Sequence, residues 1–103
     1  MQFTVHRNAD ARSRKRVPYL LTVQSDLIES AGTCVVVPLI TLERAGTPVS
    51  RLMPQLPVGD EMMVMDTLQL AAIPRAALGV AVADLSQQRS TIMAALDMLI
   101  SGI

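Results

Sequence analysis

The sequence predicts a mainly β chain with one C-terminal α-helix, folded as a small, partly closed antiparallel barrel on which the helix packs. Three observations point there. Apolar and polar residues alternate in short runs such as 2–7 and 17–24, the period-two pattern of half-buried strands. Glycine, proline and Ser-Asp pairs interrupt those runs at short intervals, so the strands are short. Only residues 84–103 carry a strong helical period, with Leu85, Ile92, Leu96, Leu99 and Ile103 at steps of three, four or seven.

Taken in order, residues 2–7 place Phe3 and Val5 on one side and Gln2, Thr4 and His6 on the other. Residues 8–16 are polar and charged and read as a loop. In residues 17–24, Tyr19, Leu21 and Val23 share a face, and Ser25-Asp26 ends the strand. Leu27 and Ile28 follow, just before the turn-like Ser30-Ala31-Gly32. Neighbours in a simple strand point to opposite faces, so at least one of this apolar pair is expected at the surface.

Residues 33–42 form a near-continuous apolar run, the best candidate for a central strand buried on both faces. Pro38 has no N–H for the ladder and is expected to mark a bulge or an edge. Residues 43–49, with Gly46 and Pro48, read as a loop. Residues 53–58 and 61–67 read as strands joined by a turn at Gly59-Asp60. In residues 68–82 Leu, Ala and Val suit either structure, but Pro74 argues against one continuous helix. The reading there is a turn at 72–75 and a strand at 78–82. Asp84 or Ser86 can cap the terminal helix by accepting a free backbone N–H, and Gly102 sits where a helix stops.

The second half of that helix is unusual, because Asp97 is its one charged residue between Ile92 and Ile100. A helix on a monomer surface carries a polar face, and a chain of 103 residues hardly surrounds a helix completely. A second copy of the chain, or another protein, is expected to cover it. The chain ends on the apolar Ile103, where domains usually trail into polar residues.

Composition narrows the function. Nine basic residues balance nine acidic ones, so no global field recruits nucleic acid or membrane. Phe3 and Tyr19 are the only aromatics, and seven methionines help to fill the core. Cys34 is alone, which fits no disulfide framework or cysteine-based metal site. The N-terminus lacks a signal-peptide layout, and no apolar tract is long enough to span a bilayer. His6 is the only histidine and reads as an exposed strand residue, or else as a general base without an identifiable partner. The acidic residues are scattered, with no spacing that suggests a metal or acid/base site, and no phosphate-binding glycine loop is present. The one charge cluster, Arg12-Ser13-Arg14-Lys15-Arg16, suits a solvated loop, the acidic segment of a partner, or nucleic-acid phosphates.

Seven landmarks recur in a known order: Met1-Gln2-Phe3-Thr4-Val5, Val23-Gln24-Ser25-Asp26, Val37-Pro38-Leu39, Gly59-Asp60-Glu61, Ile73-Pro74, Val82-Ala83-Asp84-Leu85-Ser86 and Gly102-Ile103. Together they resemble the CcdB family of toxins from toxin–antitoxin modules, over essentially the whole chain. The resemblance implies a single domain over residues 1–103, an SH3-like antiparallel β-barrel of the CcdB/MazF type with a C-terminal helix, and a homodimer. It implies a protein of the cytoplasm that is not an enzyme, with no cofactor, no metal and no membrane partner. Its target would be the A subunit of DNA gyrase, bound so that the gyrase–cleaved DNA complex is trapped. A CcdA-like antitoxin, disordered until bound, would neutralise it, and operator DNA would be met only through the antitoxin complex.

The resemblance also places residues. The gyrase-binding set would be Ser101, Gly102 and Ile103, with Asp97 and Ile100 beside them, Arg89 and Met93 earlier on the helix, and the pair Leu27 and Ile28. Gly102-Ile103 is expected to act as a contact element and not as a structural cap. Leu96 and Leu99 are assigned to the dimer interface, and Arg12, Arg14, Lys15 and Arg16 to an acidic antitoxin tail. The best-known plasmid-borne members carry tryptophan, a large contact surface, before the final Gly-Ile; this chain has Ser101. The alternatives are a MazF-like ribonuclease toxin and a weakened homologue that still binds its antitoxin.

Overall fold

The computed structural model describes residues 1–28, 32–47 and 51–102. Alternation in the sequence becomes a curled antiparallel sheet. Strands β1 (Thr4–Asn8), β2 (Tyr19–Thr22) and β3 (Thr33–Thr41) form a meander, followed by β4 (Gln55–Val58), β5 (Glu61–Met65), β6 (Ala71–Pro74) and β7 (Leu78–Asp84). The strand order is β4-β5-β3-β2-β1-β7, and β6 pairs the other half of β3. Pro57 and Gly59 at the β4 end and Ala83 to Ser86 at the β7 end line one shared depression, so the two ends of the sheet curl towards each other.

Register explains the two faces. Val5 pairs with Leu21, and Leu21 with Val37. This inner face joins Leu39, Leu56, Met63 and Met65 in the main core, which is closed by Leu85, Ile92 and Ala95. Leu20, Cys34 and Val36 form a smaller cluster with Val17, Ile73 and Leu78, on the opposite face because side chains alternate along a strand. The long apolar run is thus buried on both sides, as expected of a central strand.

Pro38 marks neither a bulge nor an edge. Its carbonyl accepts the Asp66 N–H at 2.9 Å, on the side away from β2. A strand residue's nitrogen and carbonyl point the same way, so the absent N–H falls where β3 leaves β6, paired through Val36, and meets β5, paired from Leu39. Only the reciprocal bond of the Pro38–Asp66 pair is missing, at the end of β5.

Several local expectations change. Residues 72–75, read as a turn, belong mostly to β6, and Thr33 pairs with Pro74. Proline fits because β6 has a strand on one side only and Pro74 ends it. Part of the segment read as a loop at 43–49 is a helical turn, α1 (Leu42–Ala45), because the Thr41 hydroxyl accepts the Arg44 N–H at 3.2 Å. The turn-like Ser30 and Ala31, and Pro48 and Val49, lie outside the described residues. Asn8, placed in the loop by its polarity, is buried at the end of β1. Its side chain organises that loop, donating to the Ser13 hydroxyl and the Val17 carbonyl, both at 2.9 Å, and accepting from the Asp10 N–H at 3.0 Å.

The terminal helix, α2, runs Arg89–Ser101. Asp84 accepts the Ser86 N–H at 2.8 Å and so caps the 3-10 turn at Ser86–Gln88 that leads into α2, not α2 itself. Those bonds from Ser86 hold the Asp84 carboxyl below its ordinary range. Gly102 is left-handed, with φ 76°, and its N–H returns to the Met98 carbonyl at 3.0 Å. It therefore closes the helix where the sequence places the stop, and Gly102, expected with Ile103 to be a contact element and not a structural cap, is a cap, since glycine enters this conformation without a Cβ clash.

Candidate functional site

The turn after β2 carries the first part of the site. Every polar residue of Gln24-Ser25-Asp26 is used to hold it. The Gln24 carboxamide accepts the Val35 N–H at 3.1 Å and donates to the Ile28 carbonyl at 2.7 Å. Ser25 accepts the Leu27 N–H on its hydroxyl at 3.1 Å and the Ile28 N–H on its carbonyl at 3.0 Å. Asp26 accepts the Gln2 N–H at 2.8 Å, and Gln2 donates from its side chain to the Val23 carbonyl at 3.2 Å. This network fixes two apolar side chains in solvent: Leu27 is 95% exposed and Ile28 55%. Polar residues thus hold hydrophobic ones at the surface, where a folding core would bury them.

The second part is the outer side of α2. A depression of about 230 Å³, lined by Gln2, Phe3, Asp26, Asp84 and Arg89, lies between the Leu27 turn and the start of the helix. Arg89 is exposed, with its guanidinium 5.4 Å from the centre of the buried Phe3 ring, a cation–π contact. Phe3 reaches that place through a positive φ of 64°, uncommon for a bulky side chain, with its N–H donating to the Thr22 carbonyl at 2.6 Å. From Arg89 the helix presents Met93, Asp97 and Ser101 at successive steps of four, which share a face. Met93 is half-buried against the core. Asp97 and Gly102 are exposed, and the Ser101 hydroxyl donates to the Asp97 carbonyl at 2.8 Å. Ile100 is 78% exposed. Ile103 lies outside the described residues.

The other assigned residues are placed differently. Leu96 packs against its own core and Leu99 is half-buried. In the basic loop, Arg12 pairs with Asp10 at 3.2 Å, and that hydrogen bond holds the Asp10 carboxyl below its ordinary range. Arg14, Lys15 and Arg16 are exposed. Arg16 lines a groove with Val17, Pro38, Ile40 and Arg44, on the face of the sheet opposite α2. The sequence marked Gln24 and Asp26 as part of a landmark at the end of a strand, but not as the struts that hold the turn after it.

His6 is half-buried, not exposed as expected. One ring nitrogen lies 3.0 Å from the Gly79 carbonyl, and the other is buried without a partner among the described residues. The register explains this, since His6 lies between Leu20 and Ala81 with a strand on each side. Among the described residues no group of three or more His, Cys, Asp or Glu is placed to hold a metal ion, and no helix is long and apolar enough to cross a membrane.

The chain is a curled half-barrel with one helix across it and an anchored apolar turn beside that helix. The family model described as CcdB protein matches residues 2–102, so the chain belongs to the CcdB family, the toxins of toxin–antitoxin modules.

Proposed function

We propose that the chain is a non-enzymatic toxin that binds the A subunit of DNA gyrase and traps the gyrase–cleaved DNA complex, in the cytoplasm, as a homodimer neutralised by a CcdA-like antitoxin. The supporting observation is the Leu27–Ile28 turn, because hydrogen bonds at both of its ends hold exposed apolar side chains in place. Interface energy concentrates in a few such anchors. Ile100, Asp97 and Ser101 extend the surface along α2, Arg89 and Met93 flank it, and Gly102-Ile103 completes it. The inward-leaning Leu96 and Leu99 contribute to the dimer seam, and Arg12, Arg14, Lys15 and Arg16 attract the acidic antitoxin tail. Operator DNA is reached only through the antitoxin complex. The surroundings of His6 weigh against a ribonuclease, since neither ring nitrogen is presented to a substrate.

The test is to incubate the purified chain with gyrase and supercoiled plasmid, and separately with RNA. Accumulation of protein-linked linear DNA with intact RNA is the expected result; RNA cleavage without trapped DNA overturns the proposal. Ser101→Trp adds a large contact surface at an exposed position and is expected to increase trapping.

A further inference from the structure

A recess of about 290 Å³ lies between the turn after β2, the start of β3 and the 3-10 turn Arg75–Ala77 that follows β6. It sits on the Leu20 face of the sheet, because Thr22 and Cys34 in its lining share that face. A water occupies roughly 30 Å³, so the space holds a molecule of several heavy atoms. The described lining has one charged side chain of each sign, Arg75 and Asp26, and they form no ion pair with one another. Asp26 accepts the Gln2 N–H on one carboxylate oxygen; the other has no partner among the described residues. The Arg75 backbone is tied to the Gly32 carbonyl at 2.9 Å, while its exposed guanidinium has no partner among the described residues. The Ser25 hydroxyl accepts the Leu27 N–H, and the Gln24 carboxamide donates one of its two N–H groups to Ile28. A hydroxyl proton and an amide N–H are therefore still free to donate. The Thr22 hydroxyl is not, since it is held between the N–H and the carbonyl of Thr4.

We propose that this recess binds a neutral α-amino acid in its zwitterionic form. The carboxylate meets Arg75, with the Ser25 hydroxyl and the Gln24 amide as further donors; the ammonium meets the open oxygen of Asp26; the side chain lies against Ile28 and Cys34. Charge complementarity chooses the occupant. Arginine forks suit carboxylates, but a plain anion leaves Asp26 facing a like charge, and a plain cation does the same to Arg75. A ligand with both charges on one carbon serves both within so small a space, whereas a peptide terminus brings only one of them. The described lining has no third charged side chain to meet a charged ligand side chain, so the amino acid is a neutral one. Gln24, Ser25 and Asp26 also hold Leu27 and Ile28 in place, so the occupant leans on the residues that fix the apolar turn. The site goes beyond the gyrase reading and does not depend on it.

The experiment titrates the isotopically labelled full chain with L-valine, N-acetyl-L-valine, L-valinamide and inorganic phosphate, following backbone amide shifts by NMR. L-Valine is expected to shift the Gln24, Ser25 and Asp26 amides saturably. N-Acetyl-L-valine, which lacks the ammonium, and L-valinamide, which lacks the carboxylate, should each bind about tenfold or more weakly, as loss of one partner of a charge pair does. Arg75→Gln should weaken L-valine by a similar factor. Arg44→Gln removes the same charge outside the recess and should leave binding unchanged. Far-UV circular dichroism checks that each variant is folded. No saturable shift with L-valine, or indifference to Arg75→Gln, overturns the site. Phosphate or N-acetyl-L-valine binding as tightly as L-valine shows a plain anion site and overturns the zwitterion, as does equal binding of L-valinamide. No gyrase is present in this titration, so its failure is distinct from failure of the gyrase reading.

Discussion

At Gly79 the backbone of β7 passes so close to β1 that an added Cβ would lie 2.6 Å from the Arg7 carbonyl oxygen. The obstacle is backbone, which cannot swing aside. Gly79→Ala should therefore destabilise the fold by about 1–3 kcal/mol, the usual cost of overpacking, as read by urea denaturation. Asp66 gives a prediction of opposite sign. Burial raises its folded-state pKa, so between the ordinary and the raised value the folded chain holds more proton than the unfolded one. Stability then falls as pH rises through that window. Asp66→Asn should raise Tm at neutral pH, with the gain shrinking as pH is lowered through the window; a lower Tm at neutral pH would show an unrecognised partner for the carboxylate. At this scale the exposure of one of Leu27 and Ile28 was legible, because adjacent strand residues point to opposite faces; that both are exposed was not, since it follows from the turn that Gln24, Ser25 and Asp26 hold. The half-burial of His6 was not, since it depends on β7, more than seventy residues away, closing over β1.

The helix α2 divides its apolar residues between two uses. Ile92 and Ala95 are fully buried, while Ile100 is 78% exposed. Ile92→Ala should cost about 2–5 kcal/mol through lost burial and a cavity, whereas Ile100→Ser should change stability by no more than about 0.5 kcal/mol. Equal thermal losses from both would place Ile100 in a core, that of a dimer included. The helix was readable because its period is long and its stop is a glycine. Strand β6 and α1 were not, because what defines them, the pairing of β6 with β3 and the Thr41 hydroxyl that caps α1, is made only in the fold. Pro74 misled because a proline at an edge-strand end and a proline in a turn look alike until the neighbouring strand is known.

Across the whole molecule the sheet separates two surfaces. The anchored apolar turn and the outer side of α2 belong to one, and the arginine groove to the other, behind β2 and β3. Landmarks spread along the chain made the fold class legible, because turn and cap residues are set by local backbone geometry. The groove was hidden, because Arg16, Arg44 and Asp66 come from three separate segments. The central claim is that Leu27 and Ile100 serve a partner and not the fold. Calorimetric titration of the gyrase target with the native chain and with a Leu27→Ser, Ile100→Ser double variant tests it most directly. The account predicts an unchanged melting temperature for the variant with a loss of at least about 2 kcal/mol in binding, roughly thirtyfold in Kd. A variant that binds gyrase as tightly as the native chain, or a native chain that does not bind it, would contradict the account.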